Sequence, residues 1–263
     1  MVPFLKWAGG KRWLFTPEFV QSIPSFARYV EPFLGGGAGF FALEPTRALL
    51  SDINEELIEL YRVVRDYPGE LIVALDHHQA AHSEGHFYRT RSERPKSRIA
   101  RAARTLYLNR TCWNGLYRLN RRGAFNVPIG TKTAVALPSD NFHQASAFLQ
   151  SADIVVSDFE FAIDKAGEGD LLFVDPPYTV KHNMNGFVKY NETIFSWSDQ
   201  LRLKDALVRA SRRGASIIIT NADHHSVREL YSGFGQQVSL ERASIISGKS
   251  TGRSLISELM VKT

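Results

Sequence analysis

The chain has 263 residues, 44% of them apolar and 22% charged, with a formal net charge of +5. That is the size of one large domain or of a core carrying an inserted module, and the composition is that of a soluble globular protein. The single Cys112 excludes an internal disulfide, no stretch is long and apolar enough to span a membrane, and the start, MVPFLKWAGGKRW, lacks the apolar core of a secretory signal, so a cytoplasmic protein is expected.

In chain order, RYVEPF (28–33) predicts a strand that runs into the glycine turn GGGAG (35–39) and an apolar helix start. RALLSDI (47–53) predicts a second strand, and NEELIELYRVVRDY (54–67) an amphipathic helix with Asn54 as its N-cap. Residues 65–143 depart from this alternation. They read as helical first, then as a hairpin near LYRLNRRGAFNVPIG. ADIVVSDF (152–159), DLLFVD (170–175) and ASIIIT (215–220) are short β-prone runs. The helix SDQLRLKDALVRASRRG (198–214), with serine at its start and glycine at its end, precedes the last of them. Strands alternating with helices predict a mostly parallel α/β sheet. The runs QQVSLERASIIS and SLISELMVKT, around a glycine-containing turn, predict an antiparallel hairpin at its C-terminal edge. The expected organisation is a core of 1–64 and 144–263 with 65–143 inserted.

The charge is unevenly placed. Between 89 and 132 stand Arg89, Arg91, Arg94, Lys96, Arg98, Arg101, Arg104, Arg110, Arg118, Arg121, Arg122 and Lys132, with Glu93 as the only acid. That is the footprint expected for a polyanion. A solvated helix face normally mixes signs, so nucleic acid is the favoured partner.

The stretch FVDPPYTV (173–180) ends an apolar strand on Asp175, followed by Pro176, Pro177 and Tyr178. Ligands of open α/β sheets bind beyond the carboxyl ends of the strands. The prolines have no N–H, so this rigid turn offers carbonyl acceptors beside the acid, and Tyr178 offers a flat face. The matching ligand is an aromatic ring with an exocyclic amine. Adenine's amine is a poor nucleophile, and acceptors on its N–H bonds favour the tetrahedral nitrogen of a transition state. The structural alternative, a strand capped by a proline turn, leaves the acid and the ring unexplained. GGGAG lets backbone approach a ligand closely. Residues 37–42 match the weak G-x-G-x-x-A fingerprint, and Asp52 ends the next strand where a ribose would be bound. A dehydrogenase reading explains neither DPPY nor the basic insert.

KWAGGK (6–11), EPFLGGGAGFF (31–41), LSDIN (50–54), LYLNR (106–110), NGLYRLNRRGAFNVPIG (114–130) and DPPY together resemble the Dam-type (D12 class, alpha group) adenine-specific DNA methyltransferases, in that family's order and over nearly the whole chain. The resemblance implies a Rossmann-like S-adenosylmethionine-dependent methyltransferase core with an inserted target-recognition domain. It implies a donor site formed by Trp7, Lys11, Phe33, Gly35, Gly37, Gly39, Asp52, Ile53, Asp158, Phe159 and Asp175. It assigns the flipped adenine to Asp175, Pro176, Pro177 and Tyr178. It assigns duplex DNA to Asn109, Arg110, Trp113, Asn114, Leu116, Arg118, Asn120, Arg121, Arg122, Pro128 and Lys132, where Trp113 stands for an inserting tyrosine and Arg118 for a guanine-reading arginine. Arg118 can fork onto guanine O6 and N7, and Arg121, Arg122 and Lys132 can neutralise phosphates. Thr131 departs from the pattern, standing where an arginine would contact the backbone. A GATC-like site, a monomer, a bacterial or phage host and a possible restriction endonuclease partner are expected, and no metal, because a sulfonium is already activated.

Other features are weaker. His78, His82 and His86 share a helical spacing, but Gly85 interrupts it and no carboxylate completes a metal set. Gly248-Lys249-Ser250 imitates the end of a phosphate loop without its first glycine, and Cys112 has no neighbouring base. Two alternatives stay open: methylation of RNA or of a protein glutamine, and a DNA-binding module that has lost catalysis. The basic hairpin argues against the first, the intact Asp175 and Tyr178 against the second.

Overall fold

The computed structural model describes residues 1–120, 123–180, 195–243 and 255–263. Its strands are β1 (Arg28–Glu31), β2 (Ala48–Asp52), β3 (Ala152–Val156), β4 (Asp170–Val174), β5 (Ser216–Ala222), β6 (Gln236–Ala243) and β7 (Leu255–Lys262). Contact density divides the chain into two compact units, Met1–Ser25 with Leu34–Ser157, and Phe26–Phe33 with Asp158–Thr263.

The first unit holds β2 and β3, paired in parallel from Ala48↔Ala152 to Asp52↔Val156. Helix α1 (Pro17–Gln21) is capped by Thr16, and α2 (Ala38–Leu43) follows the glycine turn. Helix α3 (Glu55–Asp66) begins where predicted, with the Asn54 side chain accepting from Leu57 N–H. Its buried residues Leu57, Ile58, Leu60, Tyr61, Val63 and Val64 cover more than one face of the cylinder. The chain meets that demand with β2 and β3 together with α4 (Pro68–Ala81), α6 (Arg98–Thr111) and α7 (Phe142–Leu149). Residues 65–143 therefore share one unit with β2, α3 and β3. Helix α5 (Glu84–Ser92) packs on α6 and is capped by Ser83.

The second unit holds β1–β4 and β4–β5 in parallel, then β5–β7 and β7–β6 antiparallel. β4 is buried along its whole length, as a strand covered on both faces must be. Helix α8 (Phe159–Asp164) precedes β4, and α9 (Trp197–Arg212) precedes β5. The α9 N-cap is Ser196 rather than Ser198, because a capping box with Asp199 satisfies both end groups. Helix α10 (His225–Leu230) leads to β6. The glycine turn expected between β6 and β7 lies outside the described residues. The protein is an α/β fold with mostly parallel strands and an antiparallel C-terminal pair, as the alternation predicts.

Candidate active site

In the first unit, Asp52 ends β2 and shapes the glycine turn. Its Oδ2 accepts from Gly35 N–H at 3.1 Å and its Oδ1 from Asn54 N–H at 3.0 Å. Tyr61, from α3, donates its hydroxyl to the Gly35 carbonyl at 3.1 Å. Burial raises the Asp52 carboxyl above its usual range, against the pull of the Asn54, Gly35 and Ile53 N–H groups. Gly35 and Gly37 sit in the left-handed region, at φ 47° and 65°. A Cβ on Gly35 would stand 2.9 Å from Cδ1 of Trp7, and one on Gly37 2.8 Å from the Tyr61 hydroxyl. The turn thus presents bare backbone under the Trp7 indole. Gly39 is buried within α2, Lys11 is buried with Nζ on the Gly9 carbonyl, and Ile53 is exposed.

In the second unit, Asp175 follows the last residue of β4. Thr220, buried on β5, donates its hydroxyl to Asp175 Oδ1 at 2.7 Å and so orients the carboxylate. Tyr178 donates its phenol to Oε2 of Glu258, on β7, at 2.6 Å. Burial first, then the charges of Asp175 and Glu258, push that phenol well above its ordinary pKa, so it stays protonated. Pro176 is buried and Pro177 half-buried. Phe33 stacks on Phe159 with centroids 5.3 Å apart, and Phe195 meets both edge-on. Asp158 caps α8 and pairs with Arg202 at 2.7 Å, while the Arg202 guanidinium lies 4.2 Å over Phe159. Thr220 and Glu258 were not anticipated from sequence. The available signal was an acid in a strand, LISELMVK, whose Leu259, Met260 and Val261 are all buried.

The predicted hairpin exists. Leu119 bridges Phe125, Asn120 N–H reaches the Ala124 carbonyl at 2.8 Å, and Cys112 bridges Ile129 below. Trp113, Asn114, Arg118, Asn120, Pro128 and Lys132 are exposed along it, with Leu116 half-buried. Arg118 Nε donates to Asn126 Oδ1 at 2.9 Å, which fixes the base of its guanidinium. Tyr117 stacks on Trp7 at 5.1 Å and donates its hydroxyl to Glu56 at 2.9 Å. Arg121 and Arg122 lie outside the described residues.

Two residues expected on DNA are spent inside the protein. Asn109 is buried, exchanges hydrogen bonds with the Lys6 backbone and donates to the Gly115 carbonyl. Arg110 is buried, forks onto Asp140 at 2.6 Å through both terminal nitrogens, and also donates to the Phe4 and Val135 carbonyls. Neither presents donors to a phosphate. The basic run is likewise less unbalanced than it reads. Arg101 pairs with Glu59, Arg104 donates to the Thr90 and Arg91 carbonyls, and Glu56 lies 3.7 Å from both Arg94 and Arg104. Those acids stand on α3, far away in sequence.

Cys112 is buried, its thiol pushed up to about 11 by burial and donating to the Leu116 carbonyl, which suits no nucleophile. His78 Nδ1 lies 2.9 Å from His86 Nε2, and His82 Nδ1 lies 3.0 Å from the Tyr107 hydroxyl. Among the described residues, no group of three or more His, Cys, Asp or Glu is placed to hold a metal ion. No described helix is long and apolar enough to cross a membrane.

Comparison with known proteins identifies the family. Residues 7–248 match the D12 class N6 adenine-specific DNA methyltransferases. The type II methyltransferase M1.LlaDCHI of Lactococcus lactis subsp. cremoris is 36% identical, over 98% of this chain and 94% of that protein. The DNA adenine methylase of Escherichia coli K12 is 31% identical, over 98% and 93%. The DNA N-6-adenine-methyltransferase of Escherichia phage P1 is 37% identical over 91% of this chain but only 32% of its own length. With a glycine turn braced by one strand's terminal aspartate, a DPPY turn braced by two others and near-complete coverage by such relatives, the chain belongs to the D12 class N6 adenine-specific DNA methyltransferases.

Proposed function

We propose that the enzyme methylates the 6-amino group of an adenine flipped out of duplex DNA, within GATC or a related short site. The family implies S-adenosylmethionine, and the residues fit it: a glycine turn in the left-handed region at Gly35 and Gly37, the Trp7 indole packed against Gly35, and the Asp52 carboxylate fixed at the end of β2 by backbone N–H groups. When bound, this donor supplies a methyl group on an activated sulfonium. Trp7, Lys11, Gly35, Gly37, Gly39, Asp52 and Ile53 of the first unit would hold it.

Asp175 and the carbonyls of Pro176 and Pro177 accept the adenine amine's N–H bonds, and Tyr178 stacks on the base. The amine nitrogen is thereby turned out of conjugation, so that its lone pair is free to attack. The observation that carries this reading is the Asp175 carboxylate held by Thr220 directly beside a phenol that burial keeps neutral. Residues 65–143 form the target-recognition module. Trp113 inserts beside the extruded base, Arg118 reads a guanine, and Asn114, Leu116, Asn120, Pro128 and Lys132 line the duplex with Arg121 and Arg122. The type II name of the Lactococcus relative supports a modification role beside a restriction endonuclease. Sequencing modified bases in DNA from a cell expressing the chain should show N6-methyladenine in one short motif. Methyl label on RNA or protein instead would overturn the assignment.

A further inference from the structure

The hydrogen bond from Tyr178 to Glu258 calls for an explanation beyond packing. A phenol needs only a neutral acceptor, and the strand offering it is apolar. Glu258 is 1% exposed, and a carboxylate buried that deeply costs several kcal/mol unless hydrogen bonds offset it, of which the Tyr178 hydroxyl supplies one. The sheet register puts it there on purpose: Ala222 opposes Glu258 and Thr220 opposes Met260, so alternate residues of β5 and β7 share a face. Thr220 on that face holds Asp175, and Glu258 holds Tyr178. Two neighbouring strands thus brace the acid and the ring of the DPPY turn separately.

The chemistry of transfer gives the charge a use. The amine nitrogen gives its lone pair to the methyl carbon while the carbon–sulfur bond breaks toward sulfur. The sulfonium becomes a neutral thioether, and the nitrogen carries positive charge until one of its protons leaves to water. A cation over an aromatic face is stabilised by the ring's electron density. A phenol that donates to a carboxylate is more electron-rich than one that donates to water or an amide.

We propose that Glu258 is a positioning residue for methyl transfer: through the Tyr178 hydroxyl it fixes the plane of the ring and makes its face more negative, stabilising the amine as it becomes cationic. This rests on the reading that the DPPY turn grips the amine. Glu258 acts only through Tyr178 and only as charge develops, so its effect falls on kcat rather than on binding.

The test is single-turnover and steady-state methyl transfer to a cognate duplex by Glu258→Gln, Tyr178→Phe and the double variant, with Asp175→Ala alongside. Glu258→Gln keeps volume and one acceptor oxygen, removes the charge, and puts an NH2 donor in place of the second oxygen. Each single variant should lose roughly ten- to hundredfold in kcat, the scale of one charge-assisted hydrogen bond, with KM for DNA and donor affinity within about twofold. The double variant should be no slower than the slower single one. Wild-type kcat in Glu258→Gln, a loss confined to KM, or multiplicative losses in the double variant would overturn the proposal. Should Glu258→Gln not fold, Tyr178→Phe removes the same hydrogen bond, and wild-type kcat in it is equally fatal. If Asp175→Ala turns over normally, the reading of the DPPY turn fails on its own account.

Discussion

Replacing Asp52 by alanine tests whether this carboxylate builds the glycine turn. The side chain accepts two backbone N–H groups, from Gly35 and Asn54, at 3.1 and 3.0 Å. Each bond to a charged acceptor contributes about 1.5–3 kcal/mol, so losing both removes about 3–6 kcal/mol. The burial that raises the carboxyl pKa works the other way, so the net loss is smaller than that sum. For a chain of this size each kcal/mol lost lowers the melting temperature by about 2–4 °C. Asp52→Asn, which keeps one acceptor and needs no buried charge, should fall less than half as far. Thermal unfolding followed by circular dichroism, with donor titration at a temperature where all three proteins are folded, measures both effects. An Asp52→Ala protein that melts within about 2 °C of wild type would refute the assignment of the turn to this side chain.

Arg110→Ala should destabilise the fold by about 3–5 kcal/mol in urea, because it leaves Asp140 and two carbonyls buried without their partner. The salt dependence of DNA binding should be unchanged; a shallower salt slope with normal stability would return Arg110 to the interface. Arg118→Ala should cost about 1–3 kcal/mol of discrimination at one base pair, read by methylation of singly substituted duplexes. Equal discrimination in variant and wild type would remove Arg118 from readout. His78 is held down to about 4, by burial first and then by His86 and His77. A base whose folded pKa is depressed contributes stability above the unfolded value of about 6.5, lost as pH falls toward the folded one. His78→Phe should therefore lose less stability than wild type between pH 7 and 4.5, and parallel urea midpoints would contradict this.

Much of the frame was written locally. The apolar runs, the Asn54 cap and the acid at each strand end follow from adjacent residues, and the structure places β2 and β4 where those runs stand. Even the two-residue error at Ser196 was avoidable, since SWSD spells the capping box. What the sequence hid were pairings across long separations. The apparent excess of positive charge in 89–132 is partly neutralised by Glu56, Glu59 and Asp140, which lie outside that span. The family resemblance assigns Asn109 and Arg110 to the interface; here the unit closes over them. Thr220 and Glu258 became visible only when the β5–β7 register set them on one face.

The central claim is that Asp175 heads a fixed set of oxygen acceptors on the target amine. Transfer of labelled methyl to a cognate duplex by Asp175→Ala, at saturating donor and with folding verified by melting, tests it most directly. The account predicts a rate at least about a thousandfold below wild type, the scale on which preorganised electrostatic groups act. A variant that methylates adenine near the wild-type rate would contradict it.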